Sequence, residues 1–275
     1  MAYKVVDAEQ LDADLTVLAD GIRAKTGGTE PLSFPDGMAA ELDAVFEAGE
    51  KAGKQTEYDT FWDAYQQNGN RTVYTEAFFG PGWTDETFRP KYSIGVGSLN
   101  LNNLFAYSLI TDLVDILDRQ GVTLDCSSCL YVNMTFKDMA NVTKIPAVNA
   151  PKSTMFNGTF AGNQKLHTIG TITLGNSGNA TFTDTFYMCY ALENVTFSGV
   201  IGKDINFQWS SRLTADSIAS IVNALSDTAS GRTATFSAAA VNNAFETGEG
   251  AADGAASAEW ESLLATKSNW TISLV

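Results

Sequence analysis

Three stretches of this chain follow one rule. "MTFKDMANVTKI" (134–145), "GTFAGNQKLHTI" (158–169) and "DTFYMCYALENV" (184–195) each carry a phenylalanine, an aliphatic residue six positions later and a second aliphatic three after that. The triplets are Phe136, Val142, Ile145; Phe160, Leu166, Ile169; and Phe186, Leu192, Val195. The phenylalanines are 24 and 26 residues apart (160−136 and 186−160), and periods of about 20–50 residues mark chains that stack one supersecondary unit on the next. Each unit is too small to bury its own apolar side, so the core has to run lengthwise through the stack. Leu104, Ile110 and Leu113 repeat the offsets upstream, and Phe207 with Leu213 opens a further copy that runs into a helix. The interval from Leu104 to Phe136 is too long for one period, and "GVTLDCSSCLYV" (121–132) reads as a distorted extra copy. The Asn, Thr and Ser between the anchors have side chains that satisfy turn backbone groups, and the Gly among them supplies the backbone freedom of a turn.

The flanks have other periods. Leu11, Leu15, Leu18 and Ile22 alternate four- and three-residue steps, which predicts an amphipathic helix over 7–25. "KTGGTEPLSFPDG" breaks it, and Met38, Leu42, Val45 and Ala52 begin a second stripe. The pair fits either an intramolecular helix hairpin or a self-associating coiled-coil seam. Residues 58–92 concentrate aromatic side chains, among them Trp62, Phe79, Trp83 and Phe88. They read either as a sugar- or peptide-binding platform or as a plug that closes the open end of the stack. Beyond the repeats, Thr214 is an expected N-cap for a helix burying Ile218, Ile221, Val222 and Leu225. A strand at 232–237, a helix around "AEWESLLATKSN" and a final strand "WTISLV" complete the pattern. The organisation expected is a helical attachment region (1–55), an aromatic-rich cap (56–99), a repeat region (100–213) and a helix/strand cap (214–275).

Composition restricts the partners. With 17 Lys and Arg against 32 Asp and Glu, the formal charge of −15 repels phosphate backbones and anionic headgroups, so neither nucleic acid nor membrane is an expected partner. No export signal is legible in "MAYKVVDAEQLDADL", and no apolar run has the length of a membrane span. The single histidine, His167, has no Gly-x-Ser-x-Gly partner and reads as a polar edge position. "CSSC" (126–129) lacks the second ligand pair of a zinc site and the βαβ setting of a redox motif. With Cys189 these cysteines are expected to be buried thiols. Seven Asn-x-Thr triplets, including those at Asn133, Asn141 and Asn157, read as products of turn composition. No catalytic constellation, cofactor or metal site is expected. A remote enzyme reading rests on carboxylates of the aromatic segment, Asp63, Glu76, Asp85 and Glu86, acting as a glycan-cleaving pair.

The motifs "TFAGNQKLHTI" and "TFYMCYALENV" resemble BspA-like leucine-rich repeats of bacterial surface and phage-encoded proteins, with Cys189 where that family places a turn cysteine. "LADGIRAKTGGTEPLSFPDGMAAELDAV" and the aromatic segment are similar to the regions preceding such repeats in phage and prophage proteins of gut Firmicutes. The resemblance implies an α+β chain: a short leucine-rich-repeat β-solenoid with N-terminal helices and a C-terminal α/β cap. It implies a non-enzymatic component of a virion, at the tail or another external structure, binding a host surface protein or glycan alongside other virion proteins. Self-association, as a trimer, is expected. The alternative is a cell-surface or secreted adhesin. Contact with the host is expected from exposed positions between the anchors, Lys144, His167 and Glu193, together with Trp209 and Trp83.

Overall fold

The computed structural model describes residues 83–86, 88–90, 93–246 and 257–275. The chain divides into two compact units, Met1–Thr60 and Phe61–Val275, and every described residue belongs to the second. The two expected N-terminal helices, and the aromatic segment up to residue 82, lie outside the described residues.

From Trp83 onward the chain forms successive segments that pair with one another in parallel. Residue 131 bridges 155, and 155 bridges 181; residue 112 bridges 144, and 168 bridges 194. Between these bridges lie short strands. Strands β1 (Lys144–Ile145) and β3 (Thr168–Ile169) pair in parallel. Strands β2 (Val148–Asn149), β4 (Ile172–Thr173) and β5 (Phe197–Ser198) form a second parallel sheet. A third consists of β6 (Ile205–Phe207), β7 (Arg232–Phe236) and β8 (Trp270–Leu274). Helices α1 (Leu113–Gln120), α2 (Ala215–Ala224), α3 (Ala238–Phe245) and α4 (Ala258–Ala265) complete the described elements. The described architecture therefore mixes helices with parallel sheets, and none of its sheets closes.

A row of aromatic rings fixes the register. Phe105, Phe136, Phe160 and Phe186 stack at 5.4, 5.5 and 5.6 Å between centroids, the first two contacts within 4° of parallel. Phe207 continues the row at 4.2 Å and Phe236 at 5.9 Å. All are buried, as are the expected companions Val142, Ile145, Leu166, Ile169, Leu192 and Val195. Offset ring stacking adds about 0.5–1.5 kcal/mol per pair beyond the area buried. The row also crosses the expected boundary at 213/214, since β6 belongs to the same sheet as the C-terminal strands.

Two expectations about the ends of the row are corrected. Leu104 is buried but is not the counterpart of Phe136; Phe105 is, because its N–H donates to Thr135 O, beside Phe136. The stretch 121–132 is not an extra copy. Helix α1 lengthens the preceding segment, and 121–132 completes that segment: Leu124 bridges back to Ile94, and Tyr131 to Asn100. Asp112 caps α1 by accepting from Asp115 N, and Gly121 ends it at φ 64°.

Polar side chains tie the segments together inside the bends. Thr159 Oγ donates to Val132 O at 2.8 Å and to Phe156 O at 2.6 Å; Thr135, also directly before a phenylalanine, donates to Leu101 O and Val132 O, and Thr185 to Phe156 O. Asn133 Oδ1 accepts from Asn157 N, and Asn157 Oδ1 from Thr183 N. Asn133 and Asn157 thus spend their carboxamide oxygens on the next segment. Three residues after each phenylalanine, Asn163 donates to Phe136 O and the Cys189 thiol to Phe160 O.

Candidate functional site

The expected contact residues fall in two places. Seven residues past Phe160 and Phe186, His167 and Glu193 are register partners: Glu193 N donates to His167 O at 3.0 Å, and Nδ1 of the half-exposed imidazole lies 3.3 Å from Glu193 Oε1. Lys144 stands one position further along and one segment back, and its Nζ is 3.2 Å from Asp112 Oδ2 instead. Thr111, Thr143, His167, Glu193 and Thr214 form one continuous line, each later N–H donating to the carbonyl before it. The outcome is a mixed-charge ribbon across segment edges, in which the acid and base groups are already paired. Exposed pairs of this kind contribute only about 0–1 kcal/mol to stability.

Trp209 lies elsewhere, two residues past Phe207. Its half-buried indole stands edge-to-face with Tyr187 (5.5 Å, 84°) and Tyr190 (5.8 Å, 86°), both rings exposed. Its Nε1 is buried and has no hydrogen-bond partner among the described residues. Neither tyrosine was among the expected contacts, though both lie in "FYMCYAL", one and four residues after Phe186. Reading Cys189 as the turn residue left its neighbours unassigned; it is the inward thiol that turns them outward.

Trp83 is corrected. It is 4% exposed, packed on Phe88 at 4.7 Å and near Phe105 at 6.0 Å, with Leu109 N donating to its carbonyl. It packs beside Phe105 at the start of the described row, and its ring is buried, not exposed as a contact position requires. Asp85 is likewise committed: its carboxylate accepts from Thr111 N at 2.7 Å and from the Thr111 hydroxyl.

Cys126, Cys129 and Cys189 are free, buried thiols. Its hydrogen bond with Cys129, followed by burial, holds Cys126 well above the ordinary thiol range. Burial pushes Cys189 up to about 12, with a backbone hydrogen bond at Asn163 acting the other way. Thiols held protonated are poor nucleophiles and poor metal ligands. Among the described residues, no cluster of three or more His, Cys, Asp or Glu side chains is placed to hold a metal ion, and no helix is long and apolar enough to cross a membrane.

Compared with protein-family models, with curated proteins and with solved structures, the chain matches none.

Proposed function

We propose that this chain is a BspA-like leucine-rich-repeat solenoid carried on a phage or prophage particle, a non-enzymatic component that binds a host surface component. The observation carrying the reading is register. Because Phe105 to Phe236 stack as one row, outward positions at the same offset recur in line, and the ribbon through Thr143, His167 and Glu193 is one result. Stacked-repeat chains use such continuous surfaces to engage large partners. The N-terminal region would attach the chain to other virion proteins and assemble it, as a trimer.

Immunogold labelling of particles induced from the source bacterium tests the location: antibody against the purified chain should decorate them at one structure. Binding to host cells is read with the purified, labelled chain. Replacing Lys144, His167 and Glu193 together by Ala should leave the melting temperature within a few degrees and reduce binding. Undecorated particles would remove the virion reading, and unchanged binding would remove the ribbon as the contact face.

A further inference from the structure

The stacking has one fault. Gly178 and Gly202 approach so closely that a Cβ on Gly202 would lie 2.4 Å from Gly178 O, and Phe186 and Phe207 are in ring contact at 4.2 Å. Between those two contacts one segment has eight steps (178 to 186) and the next only five (202 to 207). Phe182, which stacks on Phe156 at 5.6 Å, therefore has no ring above it among the described residues. No strand pairing joins 181–188 to β6 among the described residues. The shortfall leaves a hollow of about 560 Å³ with Phe182 and Ile205 among its lining residues and Tyr187 and Trp209 on its wall. A second hollow of about 510 Å³ lies alongside, over Gly158, Ala161 and Gly162, where the segment has almost no side chains. Thr183, Asp184 and Tyr187 line both.

From this geometry we infer that the paired hollows are a binding site for a neutral oligosaccharide, whose chain passes over Tyr187 from one to the other. The inference rests on the host-binding reading and supplies its ligand class. Each hollow has the volume of a small-molecule site. Tyr187 and Trp209 offer exposed or half-exposed rings on which the C–H face of a sugar can stack. Around them are hydroxyl and amide groups suited to sugar hydroxyls: Thr181, Thr233, Thr235 and Asn206 line the first hollow. The charges there are balanced, Asp184 and Asp204 against Lys203 and Arg232, so the site singles out neither an anion nor a cation. The chain's net charge of −15 further disfavours an anionic polymer. Trp209 keeps a buried indole N–H with no hydrogen-bond partner among the described residues.

The test uses the full chain on an array of neutral oligosaccharides that includes cello-, malto-, laminari- and chito-hexaose, with intrinsic tryptophan fluorescence as the solution readout. Retention of at least one of them, weakened tenfold or more in both Trp209→Ala and Tyr187→Ala and unchanged in Arg119→Ala, is expected. Tyr187→Phe keeps the ring and should retain most of the affinity, separating loss of the platform from loss of the fold. An array that retains no neutral glycan, or retains it equally with and without Trp209, overturns the site; so does retention of peptides alone. Host-cell binding is measured in parallel. Cell binding undiminished in Trp209→Ala overturns the hollows as the ligand site and leaves the host-binding reading standing. Glycan retention with no cell binding upholds the site and removes only that reading.

Discussion

Thr159 and Ser210 are both buried hydroxyls beside the aromatic row, and they should respond to mutation in opposite ways. Thr159 Oγ donates to two carbonyls in two different segments, whereas Ser210 Oγ has no partner among the described residues. Thr159→Val keeps the shape and removes the donor, and should cost about 1–2 kcal/mol in denaturant unfolding. Ser210→Ala removes a polar group that gains nothing from burial, and should be neutral or stabilising by up to about 1 kcal/mol. The sequence shows a Thr directly before each of the three anchor phenylalanines 136, 160 and 186, but composition alone assigns those threonines to exposed turns. What it omits is the carbonyl that each hydroxyl reaches in the preceding segment, more than twenty residues away. Cys189 makes a pH prediction of definite sign. Its folded value of about 12 lies above the ordinary 9.0, so its contribution is fully present below pH 9 and is lost as the pH rises from there towards 12. Each unit corresponds to about 1.4 kcal/mol. Melting temperatures followed from pH 8.5 to 10.5 should fall less steeply in Cys189→Ala than in the unaltered chain.

At the scale of elements, what was legible was whatever carries its own local chemistry. Thr214 accepts from Ser217 N and starts α2, whose Ile218, Ile221 and Val222, with Leu225 at its C-cap, are buried as the spacing required. Helix α1 was missed even though Asp112 and Gly121 are good caps, because Leu113 also satisfied the aliphatic offset and drew the stretch into the period. The bends follow a backbone rule that residue type only partly reveals. Positions two before and two after the phenylalanine are left-handed in successive segments: Met134 and Asp138, Gly158 and Gly162, Asp184 and Met188. Only the middle segment uses glycine at both, which is why the bend could not be read from glycines. At Gly162, φ is 81°, and a Cβ would meet the Asp138 carboxylate and lie 3.3 Å from Asp138 Cα. The carboxylate can swing away but the backbone cannot. Gly162→Ala should therefore cost about 1–2 kcal/mol, measurable as a shift of the urea midpoint with unchanged slope.

For the molecule as a whole, the three-phenylalanine row was legible because its offsets are nearly constant, and its extension was not, because the offsets change. Phe105 precedes Phe136 by 31 residues, Phe207 follows Phe186 by 21, and Phe236 follows Phe207 by 29. An inserted helix, a shortened bend and a two-element C-terminal region account for the differences in turn. The shortened bend is also what opens the hollow beside Trp209, so this second candidate lies where the period fails, whereas the ribbon through His167 and Glu193 lies where it holds. A core threaded through neighbouring contacts distributes stability unevenly, since an interior ring has two stacked partners and a terminal ring one. Phe160 lies between Phe136 and Phe186, while Phe236 has Phe207 as its stacked neighbour. Phe160→Ala should cost about 3–5 kcal/mol, with Phe236→Ala nearer the lower figure. Native-state hydrogen exchange gives the sharper test. The amides of Phe136 and Gly162, which donate to Thr159 O and Tyr187 O in the next segments, should exchange only through global opening. The amide of Ala238, which donates to the carbonyl of Val275, a residue 61% exposed, should exchange through a cheaper local opening. In Phe160→Ala the first two should lose protection together while Ala238 changes little; equal loss at all three would mean that the row unfolds as a single unit from end to end.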